Sequence, residues 1–283
     1  MDVRKTVILN IKRDYIAGRL KVPSLPEVAF KIRQAIQDDD KNAFQIAKIV
    51  QLDPVLTTRL IQVANSPLYR GTKTIEECHS AISRLGLKTT RTLVTSFAVQ
   101  QVYQAKHPKV RKALKLNWRH SSHVAAISYV LGRVTPGIQP DRALLAGLVH
   151  DIGVLPVLRY SEEYPEVLDD ISSFTAMLRQ VTPGLGRLVL KAWGMGEELW
   201  QVPEQVYNWH YQENSNKIDY VDMVIVSHLY CDHGDHGSTE RPALADIASF
   251  QKLPIASFGE DAGLELVQGA QEEIADIMRM IVQ

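Results

Sequence analysis

Apolar positions along this chain recur at three- and four-residue spacing, the period of helices buried on one face. Leu25–Ile36 opens on Pro-Ser-Leu-Pro-Glu, a helix-start pattern, and Val28, Ile32 and Ile36 then line one stripe. Asn42 is placed to cap a helix over Ala43–Gln51. Asp53-Pro54 restarts the pattern as a cap and first helical residue, running to Ala64 before Asn65-Ser66-Pro67 halts it. Thr74 is expected to cap a helix that ends at Leu85, with Gly86 as its left-handed stop, and Thr89–Gln104 forms another. Beyond His107-Pro108 the same period predicts helices over Trp118–Arg133, Arg142–Arg159, Leu185–Trp193 and Asp219–Tyr230. Asp141 is expected to cap the second of these, and Pro156 to end or kink it. The tract Cys231–Glu240 reads as a loop, and a last helical stretch, Asp261–Val282, is interrupted at Gly269. No run alternates with period two, so the expected fold is all-α.

Composition narrows the function. The 283 residues carry 32 Lys and Arg against 32 Asp and Glu, a formal net charge of zero. That removes a protein-wide field for nucleic acid or an anionic membrane surface. Two cysteines, Cys78 and Cys231, are too few for a secreted disulfide framework, which points to a reducing cytoplasm. The N-terminus has no long apolar region of the secretory kind. The apolar run near Ala143–Val149 is shorter than the ~18 residues of a membrane span, so no membrane association is expected.

The polar residues that need a reason are His150 and Asp151, adjacent in the apolar stretch ALLAGLVHDIGVLPVL. The dipeptide alone fits a core histidine bonded to a neighbour. His120 and His123 share a helical face upstream, however, and His210 and His228 follow downstream. Imidazoles at 120, 150, 210 and 228 can assemble a metal site in a helical bundle. A second tract, His228, Cys231, Asp232, His233, Asp235 and His236, holds many donors, but Gly234 and Gly237 mark it as a polar loop. Ala81–Val94 invites a helix-turn-helix reading with Arg84, Lys88 and Arg91 on phosphates. Its glycine spacing is off by one and the net charge is zero, so bundle packing is the better account. No glycine-rich phosphate loop or nucleophile elbow is present.

The order W-x-H-S at Trp118, A-x-L-A-G-L-x-H-D-I-G at Ala143, G-x-x-x-L-x-x-W-G at Gly186 and a late histidine resembles the HD superfamily of metal-dependent phosphohydrolases. PSLPEV (Pro23–Val28), QLDP (Gln51–Pro54), LIQVANSPLY (Leu60–Tyr69) and AISRLGL (Ala81–Leu87) make it similar to the HDOD branch, the HD-related output domain of bacterial signalling proteins. The resemblance spans about residues 21–230. It implies an N-terminal helical bundle (about 10–105) packed on an HD-like helical bundle (about 106–235), with residues 236–283 as a C-terminal helical extension.

By the same resemblance His120 matches the first metal ligand of catalytic relatives, and His150 and Asp151 match the His-Asp pair. His228 stands where a late Asp is expected, and Thr182 where an intermediate His is often found. Of a frequent His pair only His210 remains, after Trp209, and Val154 replaces a Lys of some catalytic relatives. The implied ligand set is thus His120, His150, Asp151, His210 and His228, depleted in carboxylates. Such a set suits a divalent transition ion better than Mg²⁺ or Mn²⁺. The expected function is a cytoplasmic bacterial signalling output module with no required cofactor. It would bind a protein partner or small signalling ligand through a change in packing between its helical halves. The rival is a divergent metal-dependent phosphohydrolase of nucleotides or cyclic dinucleotides, with Asp151 bridging metal and water.

Overall fold

In a computed structural model, residues 2–36, 42–212, 217–231 and 242–282 are described. Every regular element among them is a helix, so the fold is all-α as expected. The chain forms two compact units, each made of two separate stretches of the sequence. The smaller comprises Leu25–Val102 with Gly269–Gln283, and the larger comprises Met1–Ser24 with Tyr103–Gln268.

The smaller unit contains α2 (Glu27–Ile36), α3 (Ala43–Val50), α4 (Pro54–Ala64), α5 (Cys78–Leu85), α6 (Leu87–Gln101) and α16 (Gln271–Val282). Local chemistry sets several of these starts. Asn42 Oδ1 accepts from the Phe44 and Gln45 amides while Gln45 Oε1 accepts from the Asn42 amide, a reciprocal cap. Asp53 Oδ1 accepts from the Val55 and Leu56 amides, ahead of Pro54. Gly86 turns the chain between α5 and α6 at φ 79°, a value that disfavours any residue with a Cβ. Helix α5 begins at Cys78, four residues beyond Thr74, and Asn65 ties down the segment that precedes it. Its side chain donates to the Ile75 carbonyl (2.7 Å) and accepts from the Ile75 amide (2.8 Å). Arg84 of α5 donates to the carbonyls of Ala64 (3.1 Å) and Lys73 (2.6 Å), so its charge serves the internal backbone.

The core of this unit joins Ile32, Ile46, Leu60, Ile82 and Phe97. Each buried aliphatic side chain contributes about 1.5–3 kcal/mol relative to exposure. Helix α16 adds Ile274, Ile277 and Ile281, all buried on one stripe. Arg59 of α4 fastens its end, donating to the Ile281 carbonyl (3.1 Å) and to Gln100 Oε1 (2.6 Å), while Gln100 donates to the Val282 carbonyl (2.9 Å).

The larger unit contains α1 (Val3–Ile16), α7 (Pro108–Arg133), α8 (Pro140–Val149), α9 (Val154–Ser161), α10 (Ile171–Ala192), the short α11 (Glu197–Trp200) and α12 (Val202–Gln205), α13 (Tyr220–Cys231), α14 (Ala248–Gln251) and α15 (Glu260–Gly269). The contiguous division at about residue 105, with 236–283 as a separate extension, differs from this arrangement. Helix α1 lies with α9, where Tyr160 donates to Asp14 Oδ2 (2.8 Å), whereas α16 completes the smaller unit. Apolar periodicity tells which face of a helix is buried and not against which neighbour.

Helix α8 runs along α7 at close range. A Cβ at Gly147 would lie 2.6 Å from Ala125 Cα, so only glycine permits this approach. The expected continuous helix Arg142–Arg159 is two helices, and the break falls at His150–Gly153, not at Pro156. Pro156 occupies the first turn of α9, where a missing amide costs no helical bond. Gly153 holds the break against α10, since a Cβ there would lie 2.0 Å from the Thr182 carbonyl oxygen. Pro140–Ser161 as a whole is long and apolar enough to cross a membrane by length and composition, but it is mostly buried inside the protein, the setting of a core segment.

Helix α13 packs on both α7 and α8, and every residue from Val221 to Tyr230 is buried. At its start Asp222, fully buried, accepts from Ser249 Oγ (2.8 Å) and Lys252 Nζ (3.0 Å), which ties α14 to α13. Burial, then the charge of Asp219, pushes the Asp222 carboxyl above the usual carboxylate range.

Candidate metal centre

Helices α7, α8 and α13 converge their histidines. His120 comes from mid-α7, His150 from the residue that ends α8, and His228 from the last turn of α13. Their ring centroids lie 5.3 Å (120–150), 5.1 Å (120–228) and 5.5 Å (150–228) apart, with the rings mutually edge-on. One nitrogen from each falls within 4.8 Å of the others, so a single ion can be reached by all three. His150 and His228 are buried and His120 is half-buried, which leaves the site approachable from the α7 side.

The backbone orients one of the ligands. His150 Nδ1 lies 2.6 Å from the Gly147 carbonyl oxygen. A carbonyl only accepts, so Nδ1 carries the proton and Nε2 is left as the donor nitrogen. This is the support commonly given to a metal-bound imidazole. Gly147 therefore acts twice: its missing side chain brings α8 onto α7, and its carbonyl fixes the His150 tautomer.

Asp151 is placed differently. Its Oδ2 accepts from Asn117 Nδ2 (3.0 Å) and its Oδ1 from the Tyr207 hydroxyl (3.1 Å). Both carboxylate oxygens thus serve a hub that joins α7, the break after α8 and the segment after α12. The group of three that converges does not include it. Tyr207 also lies edge-on to His228, at 5.4 Å between centroids, and Trp209 borders the same ring at 6.2 Å. Tyr103 lies tilted against Trp118, 4.8 Å between ring centroids, and burial, then the Asp151 charge, raises its phenol.

His210 is exposed and lies outside the group of three. Of the donor tract, Asp232, His233, Asp235 and His236 lie outside the described residues. Cys231 is the last residue of α13, not part of a loop, and its Sγ lies 3.3 Å from His123 Nδ1 and 3.8 Å from His120 Nδ1. The pairing of Cys231 with His123 escaped the sequence reading, although the spacing of His228 and Cys231, three apart, was a helical signal for it.

The donor set tests which ion fits. Three neutral imidazoles are the open three-nitrogen set that zinc accepts. They match Zn²⁺ and neighbouring transition ions, and not Mg²⁺ or Ca²⁺, which require oxygen donors.

Similarity to known proteins agrees with this architecture. A protein of Shewanella amazonensis SB2B, provisionally named a metal-dependent phosphohydrolase, superposes with a TM-score of 0.80 at 27% identity, over 99% of this chain and 100% of that one. An HDOD domain protein of unknown function from Geobacter sulfurreducens has the same fold, with a TM-score of 0.70 at 20% identity, over 100% of this chain and 99% of that one. A curated but uncharacterized protein of Treponema pallidum (strain Nichols) is 26% identical over 205 residues, covering 68% of this chain. The match spans only 38% of that longer relative. Residues 22–209 match the HDOD domain as a family, a span that takes in all of α2–α12 with His120, His150 and Asp151, and the chain belongs to the HDOD family.

Proposed function

We propose that this chain is a signalling output module of the HDOD type that holds a transition-metal ion between His120, His150 and His228 and does not hydrolyse phosphoesters. The observation that carries this reading is that the converging group is built of imidazoles alone. Three imidazoles converge, while both oxygens of Asp151 accept hydrogen bonds from Asn117 and Tyr207. Hydrolysis of a phosphodiester by paired ions depends on carboxylates that hold both ions and balance their charge. Among the described residues, the group able to share an ion contains no carboxylate.

A bound ion would supply Lewis acidity and hold α7, α8 and α13 at one spacing. His150 would offer Nε2, held in place by the Gly147 carbonyl. His228, at the last turn of α13, and His120, on the approachable side, would complete the set. Asp151 would act as a positioning residue, keeping the break between α8 and α9 in register with α7. The module's effector would be a protein or small signalling molecule in the bacterial cytoplasm, with nucleic acid and membrane excluded. The zero net charge and the internal use of Arg84 support those exclusions.

The rival reading, a phosphohydrolase, draws on the same three nitrogens, because an ion with an open fourth position can activate water. Turnover separates the two. Purified protein loaded with Zn²⁺, Fe²⁺ or Mn²⁺ is expected to release no product from nucleotides or cyclic dinucleotides above the level of its His150→Ala variant. Hydrolysis that this variant abolishes would establish the enzyme instead.

A further inference from the structure

The thiol of Cys231, at the end of α13, faces His120 and His123 of α7. Helix α7 presents His120-x-x-His123 and α13 presents His228-x-x-Cys231, each pair sharing one helical face. The two helices pack together, so two ligand-type pairs meet across one interface. Around a tetrahedral zinc ion, with Zn–S of about 2.3 Å and Zn–N of about 2.0–2.1 Å, the sulfur and nitrogen donors stand about 3.6 Å apart. Cys231 Sγ lies 3.3 Å from His123 Nδ1 and 3.8 Å from His120 Nδ1, on either side of that value. Cys231, His120 and His123 are all half-buried, so an ion can enter without opening the core. The other cysteine, Cys78, is buried at the start of α5 in the smaller unit.

We propose that Cys231 is a metal ligand: together with His120 and His123 it holds a thiophilic divalent ion of the zinc class, at a position that adjoins the three-imidazole group, with the neutral His120 imidazole serving one ion at a time. On binding, the thiol proton passes to water and the thiolate donates a lone pair to the ion, with no change of oxidation state. The donor cluster then becomes His120, His123, His150, His228 and Cys231, and its sulfur selects zinc-class ions over manganese or magnesium. This extends the metal-binding part of the proposed function and is tested apart from it.

Cobalt(II) is the probe, since it reports nitrogen and sulfur ligation separately. The full chain with Co²⁺ is expected to show visible d–d bands and a near-ultraviolet thiolate-to-cobalt band. Cys231→Ser is expected to lose the near-ultraviolet band and keep the visible ones, whereas Cys78→Ala keeps both. In the unaltered protein, Zn²⁺ is expected to slow alkylation of Cys231 by iodoacetamide by on the order of tenfold, and a chelator to restore it. Cobalt bound with visible bands alone, together with unchanged alkylation of Cys231, would overturn the cysteine ligand and leave the imidazole site standing. A near-ultraviolet band that persists in Cys231→Ser would also overturn it. Failure to retain any cobalt would overturn both.

Discussion

Single residues set the geometry of the centre. Gly147 is the clearest case, because its backbone both meets Ala125 and bonds His150. Gly147→Ala forces a methyl group onto the backbone of α7. The expected cost is about 1–3 kcal/mol of folding stability, the range for inserting a methyl group into a packed core. The same change should weaken metal binding, since it displaces the carbonyl that holds His150. Chemical denaturation with and without Zn²⁺ measures both effects. Equal stability and equal affinity would remove Gly147 from this role. At this scale much was legible. His120, His150 and His228 stand out as polar residues in apolar helical pattern, and they do converge. His210 belongs to the same pattern but falls in irregular chain after α12, where periodicity gives no direction, and it lies exposed. Cys231 was obscured because the glycine-punctuated tract beside it made the whole segment read as loop.

At the scale of elements, capping chemistry was the most legible feature. Asn42 and Asp53 cap where expected, because each side chain accepts from amides two and three residues on, and Gly86 ends α5 through its positive φ. Features that depend on distant partners were not legible. The break after α8 was attributed to Pro156, but contact of Gly153 with Thr182 holds it at His150–Gly153. Helix α10 begins 14 residues ahead of the expected Leu185, and accommodates Pro183 in its interior. Helix α16 shows how a terminal element is secured. Burial draws the Arg59 guanidinium down to about 10, still well above neutral pH, so it remains a cation against the last carbonyls of that helix. The same group lies 4.0 Å over the Phe97 ring. Arg59→Ala is expected to cost about 1.5–3 kcal/mol, the range for hydrogen bonds to a charged group. Hydrogen exchange should then rise selectively over Gln271–Val282, with α8 and α13 unaffected. Uniform exchange across the chain would contradict the fastening role.

At the scale of the whole molecule, 32 basic and 32 acidic residues leave no net charge to attract a polyanion. All-α architecture was readable from the apolar period, and HDOD membership from the order of short motifs, several of which mark helix ends. The discontinuous make-up of the two units was not readable, since it depends on where α1 and α16 find apolar surface. The central claim concerns what α7, α8 and α13 bring together. Crystals of the zinc-loaded chain, measured with X-rays on either side of the zinc absorption edge, test it most directly. The account predicts an anomalous peak bonded to His120 and to others of His123, His150, His228 and Cys231, with the Asp151 oxygens still on Asn117 and Tyr207. A peak coordinated by Asp151, or no peak among these side chains, would contradict it.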